Sequence, residues 1–280
     1  MFKIVEKRYL NQSVVSMKIE APFVAKKAQA GQFIMFRVDE HGERVPLTIA
    51  DYDREAGTVS IMFQLIGKST KALGEKNAGD YILDFVGPLG NLCDFEGVKK
   101  AIVVGGGVGC AVAYPQAKHL FTTGVHVVMI AGFRNKDIVI LEDEMREMSN
   151  EFYISTDDGS YAEKGFVTDR LKKVLDADPD YDLVIAFGPV PMMSAVCDLT
   201  KGYGVKTMVS LTPIMIDGTG MCGGCRVTVD GEVKFACVDG PDFDGHKVDF
   251  KELMQRNSIY KEREIHDKEH PCRLGGLANA

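Results

Sequence analysis

From Lys3 to about Asp94 the chain is a series of short β-rich runs in which apolar and polar residues alternate, at residues 13–19, 33–38, 45–49, 58–64 and 81–85. A period of two turns one face of each run toward a core and the other toward water. Turns at Glu40-His-Gly-Glu, Glu55-Ala-Gly and Ala78-Gly-Asp separate the runs, the pattern of a small antiparallel β-barrel. One helix is expected to interrupt it, near residues 70–73. After Gly97-Val-Lys-Lys the pattern changes to solid apolar runs alternating with helical stretches. Strands are predicted at 101–104, 125–130, 152–156, 183–187 and 206–211. Helices are predicted from the glycine run at 105–109 to about 119, and at 142–148, 168–174 and 191–201. Buried strands joined by helices imply a doubly wound parallel sheet. The resulting division is 1–97 for the barrel, 98–212 for the α/β domain, 213–250 for a small third domain and 251–280 for a charged tail.

At 280 residues and 45% hydrophobic composition, the chain is long enough for two or three cores. Its formal charge of -7 and its scattered lysines and arginines offer no basic field for nucleic acid. No run approaches the length of a membrane span, and Met-Phe-Lys-Ile-Val-Glu-Lys-Arg at the start has no apolar core of a signal peptide. A cytoplasmic protein is expected. Seven cysteines without a secretion signal point to reduced thiols and metal ligation in preference to disulfides. Cys110 and Cys197 read as core residues, and neither they nor Cys93 or Cys272 receives a catalytic role.

The densest chemistry lies in Asp217-Gly-Thr-Gly-Met-Cys222-Gly-Gly-Cys225, followed after eleven residues by Cys237. This is the spacing of plant-type ferredoxins with an aspartate in the first ligand position. A [2Fe-2S] rhomb needs four anionic ligands, three from one tight loop and one from a returning strand. Gly218, Gly220, Gly223 and Gly224 permit the wrapping, and a hairpin turning at Asp230-Gly231 returns Cys237. A structural zinc on the three cysteines plus one further ligand, or a buried thiol cluster, are the alternatives.

Gly105-Gly-Gly-Val-Gly109 follows a strand and opens a helix, where bare N–H groups receive a pyrophosphate. Cys110 stands where the G-x-G-x-x-G fingerprint has its last glycine, and the second strand ends at Arg134 without an acidic ribose ligand. A standard Rossmann dehydrogenase is therefore disfavoured, and a glycine turn kept for packing is the alternative. In the barrel, residues 44–50 and 63–70 mix polar and apolar groups in a way suited to a flavin. Their alternatives are an edge strand with a tolerated proline and a helix capped by Ser69 or Thr70.

Across nearly its whole length the chain resembles the small, NAD-binding subunit of the electron-bifurcating NADH-dependent ferredoxin:NADP oxidoreductases. The likeness rests on Gly31-Gln-Phe, Pro46-Leu-Thr-Ile, Gly67-Lys-Ser-Thr-Lys, Asp84-Phe-Val-Gly-Pro-Leu-Gly90, Gly105-Gly-Gly-Val-Gly, Thr156-Asp-Asp-Gly-Ser, Lys164-Gly-Phe-Val-Thr-Asp169, Gly188-Pro and the cluster run through Cys237-Val-Asp-Gly-Pro-Asp-Phe-Asp-Gly-His246. The resemblance implies a ferredoxin-reductase-like barrel for FAD, an α/β domain for NAD(H) and a [2Fe-2S] domain. The cluster ligands would be Asp217, Cys222, Cys225 and Cys237. Pro46, Leu47, Thr48 and Ile49 would line the isoalloxazine, with the Thr48 hydroxyl near its N5 edge, and Phe63, Gln64 and Leu65 would flank it. Gly67, Lys68, Ser69 and Thr70 would hold the FAD pyrophosphate. Gly106, Gly107, Val108, Gly109, Asp157, Asp158 and Gly188 would shape the NAD(H) site.

The resemblance also implies a larger partner subunit carrying a second flavin and [4Fe-4S] clusters, with ferredoxin served through the complex. No side-chain acid or nucleophile is required, because the cofactors carry the chemistry. The electron-transfer subunit of a dihydroorotate dehydrogenase has the same parts and is the runner-up, but it usually supplies four cysteines. A redox sensor without turnover is a third reading. Two positions depart from the relatives: Val45 stands where an arginine usually precedes Pro-Leu, with Arg44 one residue earlier, and Ala111-Val112 stands for Ala-Pro. Arg134 offers a charge for a 2′-phosphate, whereas Asp157 and Asp158 oppose one, so NAD is expected over NADP. His266 and His270 in the tail read as part of a solvated helix.

Overall fold

The computed structural model describes residues 1–260. Seven strands form the first sheet: β1 (Phe2–Tyr9), β2 (Val14–Glu20), β3 (Phe33–Arg37), β4 (Val45–Asp53), β5 (Thr58–Gln64), β6 (Tyr81–Ile82) and β7 (Asp84–Leu89). Their order is β6-β1-β2-β5-β4-β3-β7, with neighbours antiparallel. The sheet curls around Ile4, Val15, Met17, Ile19, Phe36, Ile61, Phe63 and Phe85, side chains that alternate with polar ones along β2 and β5. β1 is absent from the alternation read in the sequence because only Ile4 of its eight residues is buried. The barrel also holds two helices where one was expected. α1 (Pro22–Lys27) starts on a proline, buries Val24 and Ala25, and is too short to show a helical period. The expected helix is α2 (Lys68–Glu75).

The second sheet contains β8 (Lys100–Gly106), β9 (His126–Phe133), β10 (Glu151–Thr156), β11 (Glu163–Lys164), β12 (Leu183–Phe187) and β13 (Thr207–Ser210). Between them run α3 (Cys110–Thr122), α4 (Glu142–Glu147), α5 (Val167–Ala177) and α6 (Val190–Tyr203). β8 through β13 are parallel in the order β11-β10-β9-β8-β12-β13. β8 and β12 are buried on both faces, so they read as continuous apolar runs. One core packs on each side of the sheet. The order reverses between β8 and β12, and beyond the C-termini at such a switch point open α/β sheets receive their ligands.

The remaining elements are β14 (Arg226–Val229), β15 (Glu232–Phe235), α7 (Ala236–Asp239), β16 (Asp242–Asp244) and α8 (Phe250–Asn257). β14 and β15 make the expected hairpin, with Asp230 and Gly231 both at positive φ, as a two-residue primed turn requires. Cys237 lies in α7, just past the end of β15. β16 leaves this segment and adds to β13 as an antiparallel edge of the α/β sheet, so residues read as part of the third domain belong to the second sheet. The two histidines of the tail lie outside the described residues. Among the described residues no helix is long and apolar enough to cross a membrane.

Candidate functional site

Three turns and the end of β10 carry the candidate site residues. In the first, β8 runs into a single tight turn at Gly107–Gly109 and then into α3. A Cβ on Gly109 would lie 2.4 Å from the Phe187 carbonyl oxygen, and one on Gly188 would lie 3.2 Å from the Gly106 carbonyl oxygen. Gly106, Gly109 and Gly188 therefore close together where β8 meets β12. Gly107 takes φ +57 and Val108 is exposed. No side chain caps the start of α3, although the Cys110 N–H is already taken by the carbonyls of Gly107 and Val108, so an anion here would meet the turn and the donors beyond Cys110.

Asp157 and Asp158 stand two strands away, at the end of β10. The Asp157 N–H donates to the Phe133 carbonyl (2.9 Å) and the Asp158 N–H to that of Arg134 (3.3 Å). Both acids are exposed. The hydroxyl and N–H of Ser160 hold the Asp158 carboxyl below the usual carboxylate range.

On the barrel, β4 alternates: Leu47 and Ile49 turn to the core, while Pro46 and Thr48 turn away from it. Phe63 is likewise inside, whereas Gln64 and Leu65 are half-buried. A register shift between Ile49 and Asp51 bends β4 just past this face. Gly67 begins α2, where the Thr70 hydroxyl accepts from the Gly67 N–H (3.1 Å). Thr70 therefore reaches back to the cap. Gly67 and Lys68 are exposed.

The cluster run forms the third turn. Both oxygens of Asp217 accept backbone hydrogen bonds, from Thr219 N–H (2.8 Å) and Cys222 N–H (2.9 Å). These donors, Thr219 first, hold its carboxyl below the ordinary range. The sulfurs of Cys225 and Cys237 are 3.3 Å apart and buried, while Cys222 is exposed. Burial, followed by the Cys225 neighbour, pushes the free Cys237 thiol up to about 12. The four residues thus fall into two pairs, Asp217 tied to Cys222 through the Cys222 backbone N–H, and Cys225 meeting Cys237 through sulfur. Among the described residues no three His, Cys, Asp or Glu side chains gather around one ion. Two pairs suit a two-iron rhomb better than one tetrahedral zinc.

Several contacts that join these turns have no signal in the sequence. Gly218 fits against the barrel so closely that a Cβ there would lie 2.8 Å from Met35 and 3.0 Å from Leu89. Asn91 donates from its N–H to the Gly240 carbonyl (2.6 Å) and from its amide to that of Val238 (2.8 Å). Lys118 of α3 bridges both oxygens of Asp51 on β4, at 3.0 and 2.9 Å. Gln116 of α3 donates to Asp242 of β16 (3.2 Å) beneath Gly31, where a Cβ would strike the Gln116 amide at 2.3 Å. Each contact joins residues far apart in the chain.

Residues 212–249 match the iron-sulfur cluster binding domain of dihydroorotate dehydrogenase B, and residues 103–198 match the oxidoreductase NAD-binding domain. An uncharacterized protein of Clostridium beijerinckii is 53% identical over 94% of this chain and 92% of its own. A dihydroorotate dehydrogenase B electron transfer subunit homolog of Thermotoga maritima is 45% identical over the same shares. The solved NADH-dependent reduced ferredoxin-NADP oxidoreductase, a structure concerned with flavin-based electron bifurcation, superposes with TM-score 0.90 at 44% identity, covering 96% of this chain and 97% of that one. A ferredoxin reductase of carbazole 1,9a-dioxygenase shares the fold at TM-score 0.63 and 21% identity, over 73% of this chain and 65% of its own.

Proposed function

Because the chain belongs to the family of dihydroorotate dehydrogenase B electron-transfer subunits and their homologues, we propose that it is the NAD-facing subunit of a flavin-based bifurcating NADH-dependent ferredoxin:NADP oxidoreductase. Its larger partner would carry the remaining flavin and [4Fe-4S] centres. When bound, FAD exchanges a hydride with NAD(H) and converts electron pairs to single electrons, which the [2Fe-2S] cluster relays to that partner.

Pro46, Thr48 and Gln64 would present their side chains to the isoalloxazine. Ile49 and Phe63 face the barrel core and would hold that wall in place, with only their backbone available to the flavin. The helix start at Gly67, Lys68, Ser69 and Thr70 would receive the FAD pyrophosphate, with the Gly67 N–H held by the Thr70 hydroxyl, and the turn at Gly106–Gly109 the NAD(H) pyrophosphate. Asp157 and Asp158 would repel a 2′-phosphate. Asp217 and Cys222 would hold one iron, and Cys225 and Cys237 the other. Exposed Cys222, with Met221 at 89% exposure beside it, marks the side from which electrons leave.

The seat of Gly218 on Met35 and Leu89 carries this reading. Leu89 pairs with Phe33, and Phe33 pairs with Thr48, so the cluster loop lies against strands adjoining the flavin wall. Electron transfer between the two would need no movement of domains.

The test is anaerobic purification of the native complex, with flavin and iron counts, EPR, and identification of the partner. One FAD and one [2Fe-2S] centre on this chain, reducible by NADH, with a flavin and [4Fe-4S] partner, are expected. A colourless zinc protein would sink the reading, and a partner that oxidises dihydroorotate would replace it with the dihydroorotate dehydrogenase alternative.

A further inference from the structure

Gly224 lies between Cys222 and Cys225 in the cluster run, and both of its backbone polar groups are engaged. Its N–H donates to the Cys222 sulfur (3.4 Å), and its carbonyl accepts from the guanidinium of half-buried Arg256 (3.4 Å). Arg256 belongs to α8, and the contact spans 32 residues. The helix that carries it is tied down. The Asp249 N–H donates to the Thr228 carbonyl of β14, and the Asp249 carboxylate accepts from the Glu252 N–H, both at 2.9 Å. Leu253 is buried on the same helix, which packs on β14, the strand that follows Cys225.

This charge has a nearer use that it does not take. Glu252 stands one turn earlier, where an i,i+4 ion pair would form, yet among the described residues the arginines in ion pairs are Arg8, Arg37, Arg146 and Arg170. The last turn of a helix favours a cation in any direction, but this one turns to the loop. Three thiolates and a carboxylate around a two-iron, two-sulfide core leave the oxidised centre doubly negative, and an arriving electron makes it triply so. A guanidinium keeps its proton throughout, and a partly buried one is little screened by salt. It therefore favours the reduced centre over the oxidised one. The Asp239 carboxylate, which accepts from the Phe235 N–H (2.6 Å) just beyond Cys237, acts in the opposite direction.

Resting on the functional reading above, we infer that Arg256 raises the reduction potential of the [2Fe-2S] centre by holding a permanent positive charge on the loop between two of its ligands. Net charge around a cluster is one of the levers by which a protein sets its potential. Arg256 acts through the Gly224 carbonyl and ligates no iron, so it is a positioning residue for the electron.

The test is an anaerobic redox titration of the purified complex, followed by EPR of the [2Fe-2S] centre with iron counted in parallel. Arg256→Gln should shift the oxidised-to-reduced ratio about tenfold toward oxidised, a midpoint about 59 mV lower. Arg256→Lys keeps the charge and should stay within about threefold of the parent ratio. Glu252→Lys adds a cation one turn earlier without touching the loop, so it should move the midpoint upward, and it serves where Arg256→Gln loses iron. An unchanged midpoint in Arg256→Gln, an equal fall in Arg256→Lys, or no rise in Glu252→Lys overturns the assignment. A parent complex without a [2Fe-2S] signal overturns the functional reading itself.

Discussion

Glycine is used for opposite reasons in the phosphate-receiving turn and the cluster loop. At 105–109, only Gly107 has a left-handed backbone, while Gly105, Gly106 and Gly109 are needed because other atoms occupy the space of a side chain. At 217–225, Gly218, Gly220 and Gly223 take φ of +77, +83 and +66. Of the three, Gly218 is also pressed hard by Met35 and Leu89, Gly220 less so by the Val238 methyls, and Gly223 has room. The first turn is a packed joint between β8, β12 and α3, and the second is a coil that presents ligands. Two runs of similar composition therefore fail in different ways when altered.

The largest effect is expected from Gly109→Ala, whose new methyl meets the Phe187 carbonyl and the Gly188 Cα. Neither backbone atom yields easily, so a loss of about 3 kcal/mol or more is expected, together with weakened NADH affinity in equilibrium titration. A variant melting within a degree of the parent would remove packing as the reason for this glycine. Cys225→Ala comes next: it should abolish the [2Fe-2S] EPR signal while FAD and NADH still bind, since its sulfur partner is Cys237 of α7 and neither belongs to the phosphate-receiving turn. Loss of flavin as well would show that the two regions are not separable.

Gly220→Ala should cost about 1–2 kcal/mol, the penalty of a left-handed backbone for an L-residue, visible as faster cluster loss on dilution. Gly107→Ala is the sharpest comparison within the first turn. Nothing lies within 4 Å of its added carbon, so only the backbone penalty of about 1–2 kcal/mol remains, below that of Gly109→Ala two residues away. Equal losses at the two positions would break the distinction.

Asp242, at the joint between the two regions, gives a pH-dependent measure. Burial raises its carboxyl from 3.8 to about 6, so the folded state holds a proton that the unfolded chain has released in that interval. Stability from this group is therefore present at low pH and lost as pH rises from about 4 through about 6. Asp242→Asn should remove that decline, seen as a melting temperature a few degrees above the parent at pH 7.5 and convergence near pH 4. A parallel offset at both pH values would assign the effect to packing.

Much of this architecture was legible in the residues. The period-two runs gave the barrel strands with a buried face, and the solid apolar runs gave β8, β9 and β12, because burial on one or two faces leaves different patterns. β1 escaped because one buried residue in eight makes no period, and α1 because six residues cannot show one. β16 escaped because three residues hold no record of which sheet they will join. Cluster spacing and glycine turns were readable because they are local: the loop and its hairpin need only their own residues to take shape. The inward turn of Ile49 and Phe63 followed from which face of the barrel closed, and the reach of Arg256 to Gly224 from how α8 packs on β14.

The order of residues alone carried the local chemistry: candidate anionic ligands at fixed spacing, glycines where two helices begin, and acids after a strand. These depend on covalent spacing and backbone preference, which act over a few residues. Packing decided that the cluster loop sits on Met35 and Leu89, and that Lys118 and Gln116 fasten the α/β domain to the barrel and to β16. Those contacts join segments tens to more than a hundred residues apart, and they exist only once three cores have packed against one another.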